Sequence, residues 1–135
     1  MDEDLPTRED YESVDRATEE LRRRGWRIFG INAAVDAWSD FVTSVEEGYG
    51  MNLDEYTNDV HVRAWPEQAR QFLTTRVARS MDDQLAPLDA RFREATQPTV
   101  RPLSGNDGEW WKNRLPIRLV GELAADVEWL RLRDK

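Results

Sequence analysis

The chain has 135 residues, 39% of them apolar, with 27 acidic and 19 basic side chains, one histidine and a formal net charge of −8. This length, with six Trp, four Phe and three Tyr, suffices for one hydrophobic core and argues against intrinsic disorder. The absence of cysteine excludes disulfide frameworks, thiolate nucleophiles and zinc-thiolate sites, and the lone His61 excludes a multi-histidine metal centre.

The N-terminus, Met1-Asp2-Glu3-Asp4-Leu5-Pro6, is acidic where a secretory signal needs a basic region followed by an apolar one. Residues 1–7 are expected to be flexible. No apolar run approaches the roughly 20 residues needed to span a bilayer, so the expectation is a cytoplasmic protein without a membrane partner. Seventeen of the basic residues are Arg and only Lys112 and Lys135 are Lys, a bias that points to a GC-rich, bacterial or phage coding sequence.

Thr7 followed by Asp10 reads as a capping start, and Tyr11, Val14, Thr18 and Leu21 recur at helical spacing until Gly25, predicting a first helix over 8–24. Acids in its first turns and Arg22–Arg24 in its last complement the macrodipole. Trp26–Ile31 has strand character but no partner strand, and is read as a buried connector. Asn32 is read as the cap of a second helix over 33–47, with Val35, Trp38, Phe41, Val42 and Val45 on its inner face and Gly48 as its stop. Asn52 with Glu55 caps a short third helix facing inward through Leu53, Tyr56, Val60 and Ala64. Trp65-Pro66 is read as a break, after which one helix buries Ala69, Phe72, Leu73, Val77 and Met81. Leu85, Leu88, Phe92 and Ala95 continue the pattern, with a kink or break expected near Asp83–Ala86 because a proline in a helix interior costs about 3 kcal/mol. Residues 96–108 have loop composition, and Pro116 is expected to open a last helix facing inward through Val120, Leu123, Val127 and Leu130. The fold class is therefore all-α: a single domain over 1–135, a compact bundle of five to six helices with no significant sheet.

Charge is unevenly distributed. Residues 28–62 carry seven acids and no Lys or Arg, whereas 63–101 carry five acids and seven bases. Asp36, Asp40 and Glu47 fall near one stripe of the second helix, opposite its apolar face, and Asp54, Glu55 and Asp59 extend the negative surface onto the third. Like charges at helical spacing repel by a few tenths of a kcal/mol per pair, so an uncompensated stripe suggests a docking face for a basic partner. Tyr49 and Tyr56 lie in the same stretch and are candidate contact anchors, since tyrosine gives interface area at low entropic cost. The expected partner-binding set is Asp36, Asp40, Glu47, Tyr49, Asp54, Glu55, Tyr56 and Asp59.

This acid-plus-tyrosine helical pattern resembles that of bacterial nuclease-immunity proteins and other inhibitors that present acid to a nucleic-acid-binding cleft. The resemblance implies a non-enzymatic inhibitor of a toxin or nuclease.

Other chemistry finds little purchase. His61 shares a helical face with Asp54 and Asn58, a spacing that suits a weak cation site or an acid-base pair, and the sequence lacks the Glu-x-x-His elements of a di-iron bundle. Asp54, Asp59, Glu122 and Asp126 raise the alternative of a magnesium-dependent all-α pyrophosphohydrolase, without that group's Glu-rich double motif. No catalytic residue, cofactor or metal is assigned. Trp110 and Trp111, adjacent and so about 100° apart on a helix, are expected to place one ring in the core and one outside, clamping the long loop. The one dense basic cluster, Arg22–Arg24 with Arg27, ends a helix, and nucleic-acid binding is not expected. A Met81, Leu85, Leu88, Phe92 seam offers a third reading, a dimerising structural subunit, so the expected state is monomer or weak homodimer.

Overall fold

The computed structural model describes residues 5–100, 103 and 109–132. Among them are six α-helices, α1 (Arg8–Arg23), α2 (Ile31–Glu47), α3 (Leu53–Val60), α4 (Ala64–Ala69), α5 (Thr75–Ala95) and α6 (Gly121–Leu130). A two-stranded antiparallel ribbon, β1 (Thr96–Pro98) with β2 (Arg114–Pro116), completes the fold. The bundle is all-α in class, and no helix among the described residues is long and apolar enough to cross a membrane.

The N-terminus of α1 forms where the sequence places it. Thr7 Oγ1 accepts from the Asp10 amide at 3.1 Å while Asp10 Oδ2 accepts from the Thr7 amide at 2.8 Å, a reciprocal cap that satisfies two otherwise free donors. Thr7 is thus held rather than loose, while residues 1–4 lie outside the described residues. The same Asp10 carboxylate accepts from Thr74 Oγ1 at 2.7 Å, and Thr74 in turn caps α5 through the Val77 amide, so the starts of two helices are tied together. The Thr7 backbone hydrogen bond, then Thr74, hold the Asp10 carboxyl below the usual carboxylate range.

The inner face of α1 is Asp10, Ser13, Ala17 and Leu21, one position out of phase with the expected Tyr11, Val14, Thr18 stripe. Small residues face inward here because Ala17 and Leu21 pack with Ala34, Trp65 and Ala69 in a separate cluster, in which the Trp65 ring takes up the volume. Tyr11 is left outside. The connector after α1 is irregular, as expected, but it is not buried: Trp26 and Ile28 are half-buried and Phe29 is 65% exposed. Helix α2 then begins at Ile31 with Gly30 at its N-cap, so Asn32 lies inside the first turn and does not cap it.

Asn52 caps α3 through the Glu55 amide at 2.9 Å. The chain then runs through a 3-10 turn (His61–Arg63), α4 and a second 3-10 turn (Arg70–Phe72). Pro66 interrupts nothing: it sits third in α4, where the first-turn amides have no helical acceptor anyway. The real break is at Leu73, whose backbone is extended, and the expected single helix from Ala69 to Met81 is two, with Thr74 the cap between them.

Helix α5 is continuous across Pro87. Met81, Leu85, Leu88, Asp89 and Phe92 are buried on both sides of the proline, and Pro87 itself is exposed, so the Asp83 carbonyl loses its helical partner on the solvent side of α5. Packing along α2 outweighs the local cost. That packing also corrects the dimer seam: Met81, Leu85, Leu88 and Phe92 are at most 8% exposed and belong to the intramolecular core.

The start of the expected 96–108 loop is a strand instead. Thr96 pairs with Pro116, Gln97 with Leu115 and Pro98 with Arg114; Arg114 locks this ribbon to the end of α5 by donating to Thr96 Oγ1, Thr96 O and Arg93 O. Residues 101–102 and 104–108 of that loop lie outside the described residues. Pro116 therefore ends a strand, and α6 starts five residues later at Gly121. There the backbone adopts φ +58° and passes so close to Gly50 that a Cβ would lie 2.6 Å from the Gly50 carbonyl oxygen.

One buried polar group joins three parts of the bundle. Asp89 on α5 accepts from Trp38 Nε1 of α2 at 2.9 Å and from Arg63 Nε and Nη2 at 2.9 and 2.8 Å. Arg63 also donates to Glu67 and lies over the Trp111 ring at 5.1 Å.

Candidate acidic interface

Helix α2 buries Ala34, Trp38, Phe41, Val42 and Val45, which turns Asp36, Asp40 and Glu47 to solvent. On α3, Tyr56 and Val60 face the core, so Asp54 and Asp59 are exposed and Glu55 half-buried. Asp36, Asp40, Glu47, Asp54, Glu55 and Asp59 make no ion pair among the described residues. Their neighbour Glu46 does: Arg91 of α5 holds it with a 2.6 Å contact and keeps its carboxyl below the usual glutamate range. Elsewhere the acids that face arginines are paired, as in Arg22–Glu19, Arg70–Asp82 and Arg63–Asp89.

The two tyrosines occupy different ground from the acids around them. Tyr56 is fully buried and donates from its hydroxyl to the Arg114 carbonyl at 2.8 Å. Tyr49, 5% exposed, donates to Asp59 Oδ2 at 2.6 Å. The rings meet edge to face at 5.3 Å, and both pack on Phe41. Burial, first of all, raises both phenol pKa values, with the Asp59 carboxylate adding to the effect at Tyr49. Neither ring is available as a partner-facing anchor: aromatic packing in the core claims them, a demand that the charge pattern of their neighbours does not reveal.

The last helix carries two of the acids that raise the magnesium-hydrolase alternative. Asp126 Oδ2 accepts from the Leu53 amide at 3.0 Å, completing the α3 cap, and the Glu122 amide donates to the Gly50 carbonyl at 2.9 Å. Helix α6 is thus tied to the start of α3 and to the Gly50 turn by these two bonds. No three acids or histidines converge as a metal site among the described residues, so Asp54, Asp59, Glu122 and Asp126 do not come together as magnesium ligands would. His61 stacks on Trp26 at 4.9 Å between ring centroids instead of meeting the Asp54 or Asn58 side chains.

Trp111 is in the core and Trp110 half-buried, in edge contact with Phe92 and under the Arg93 guanidinium at 3.8 Å. Both rings serve packing. The segment before them is fastened at Leu103, whose amide donates to Asn113 Oδ1 at 2.8 Å.

Large side chains left exposed include Trp129 (82%) on α6, and Tyr11 (62%) and Phe29 (65%) beside α1. The Leu123, Val127 stripe leaves Trp129 outside by spacing alone, a signal present in the sequence. The position of Tyr11 follows only from the phase of α1. Comparison with known protein families, curated protein sequences and solved structures finds no match in any of the three.

Proposed function

We propose that this chain is a non-enzymatic acidic binding protein that uses the α2–α3 surface to engage a basic protein, in the manner of a toxin-immunity protein or phage inhibitor. The observation that carries the reading is the set of six carboxylates, Asp36, Asp40, Glu47, Asp54, Glu55 and Asp59, without an ion-pair partner among the described residues. A surface left uncompensated in a chain that also carries 19 basic residues attracts cations from outside and steers a basic partner. Asp126 and Glu122 of α6 extend the same field.

The test is charge reversal of Asp36→Lys, Asp40→Lys and Glu47→Lys together, chosen because these three are exposed and hold nothing else in place. After affinity capture of the partner from the native host, association is measured by surface plasmon resonance across a salt series. Wild type associates fast and weakens steeply with salt, because exposed charges are screened beyond roughly 8–10 Å at physiological ionic strength. The triple variant loses at least about tenfold in affinity and most of the salt slope, while its melting temperature stays level or rises slightly. Unchanged binding by the variant removes this surface from the function.

A further inference from the structure

A cleft of about 440 Å³ opens between α1, the connector before α2, the first turn of α2 and α5, a volume within the range of sites that accept a specific ligand group. Val14, Ile31, Val77 and Met81 make its apolar wall, and Tyr11 and Phe29 stand at its edge, more than half exposed. Neither of these two rings stacks on another ring among the described residues, in contrast to the linked aromatics of the core. Large apolar groups gathered around a concavity mark a contact site more often than isolated exposed residues do.

The charged residues that line the cleft have one sign. No Lys or Arg lines it, and its two acids are Asp10 and Asp15. Asp10 is committed to the α1 cap, to Thr74 and to Arg76. Arg76 is occupied in turn by Asp10 and by the Leu5 carbonyl. Asp15 is exposed and has no ion pair among the described residues. On α2, Ala33 lines the cleft, and Asp36 and Asp40 follow it at i+3 and i+7 on the same stripe. The unpaired acids of the proposed interface therefore begin at the cleft itself.

We infer that this cleft is the anchor pocket of the acidic interface: it receives an apolar side chain from a Lys- or Arg-rich segment of the partner, whose cations meet Asp15, Asp36 and Asp40. This rests on reading the α2–α3 surface as a docking face for a basic protein. Rim charges set the rate of encounter, whereas residence depends on a desolvated anchor seated in a pocket. With Tyr49 and Tyr56 turned into the core, the cleft supplies the apolar component that the acids lack. A second copy of the chain, with net charge −8, would set acid against acid, so complementarity selects a basic occupant.

The experiment uses three fluorescein-labelled amphipathic peptides against the full chain, read by fluorescence anisotropy. One carries leucines at helical spacing among lysines; the second replaces its leucines with serine; the third replaces its lysines with glutamate. The leucine–lysine peptide binds, the serine peptide binds roughly tenfold more weakly or worse, and the glutamate peptide does not bind. Tyr11→Ala with Phe29→Ala, and separately Ala33→Trp, which fills the cleft, each reduce leucine–lysine binding by roughly tenfold with circular dichroism spectra unchanged. Amide resonances of residues 29–33 and 77–84 shift on titration. Equal binding of the leucine and serine peptides, or no effect of either cleft variant, overturns the anchor and leaves the charge-reversal test of the acidic surface standing. Equal binding of the glutamate peptide overturns the basic class of occupant, and failure of all three to bind overturns the pocket.

Discussion

Replacing Asp89 with Asn should be among the most damaging single changes of one functional group in this chain. The carboxylate is 9% exposed and accepts three hydrogen bonds, two from Arg63 and one from Trp38. An amide in its place keeps one acceptor but turns an NH2 donor toward donors, and it removes the charge opposite a guanidinium whose side chain is 6% exposed. Removing one partner of a buried pair costs about 3–5 kcal/mol. Glu67, still within 3.0 Å of Arg63, offsets part of this and favours the low end, about 3 kcal/mol. Against a typical total of about 5–15 kcal/mol, that is a large share of the stability. With a urea m-value of about 2 kcal/mol/M, the midpoint drops by about 1.5 M. Urea denaturation followed by both tryptophan fluorescence and far-ultraviolet circular dichroism measures this and tests for a single transition. Trp38→Phe, which removes one hydrogen bond and leaves the ion pair, should cost only about 1 kcal/mol plus a small packing loss. Arg63→Met with Asp89→Leu should recover much of the single-variant loss, since the uncompensated charge is what destabilises. A loss below about 1 kcal/mol for Asp89→Asn at unchanged m would refute the reasoning, because the guanidinium would then have to be solvated.

Two further outcomes probe the placement of α6 and of the histidine. Gly121→Ala places a Cβ 2.6 Å from the Gly50 oxygen at φ +58° and should cost about 2 kcal/mol or more in thermal unfolding. Gly50→Ala, whose Cβ would meet nothing closer than 3.6 Å, should cost far less, and equal losses would contradict the close approach. Burial, with Lys112 adding to it, lowers the His61 pKa from its ordinary 6.5. The unfolded chain therefore takes up the proton first as pH falls, so this contribution to stability is full above the unfolded value and is lost on acidification toward the folded one. Between about pH 7 and about pH 5, wild type should lose stability that His61→Phe retains. A parallel decline in both proteins would show that the imidazole is not the responsible group.

What the residues settled by themselves is what neighbours in sequence can settle. Thr7 with Asp10 and Asn52 with Glu55 form their caps as written, because a capping hydrogen bond spans three residues and needs nothing from elsewhere. The inner face of α2 and the all-α class follow from periodicity, and the charge map is a property of composition. The same local rules miscarried wherever a distant group intervened. Pro87 stays inside α5 because Leu85, Leu88 and Phe92 pack within the common core. Tyr49 points inward because Phe41 and the Asp59 carboxylate receive it, whereas Tyr56 is buried on the inner face of α3, where its spacing alone places it. The phase of α1 is set by Trp65 and by Thr74, the latter 64 residues from Asp10, and that phase leaves Tyr11 at the edge of a cleft. Local hydrogen bonding acts over a single turn of chain, whereas which face is covered, and which concavity is left open, depends on side chains brought together only by folding.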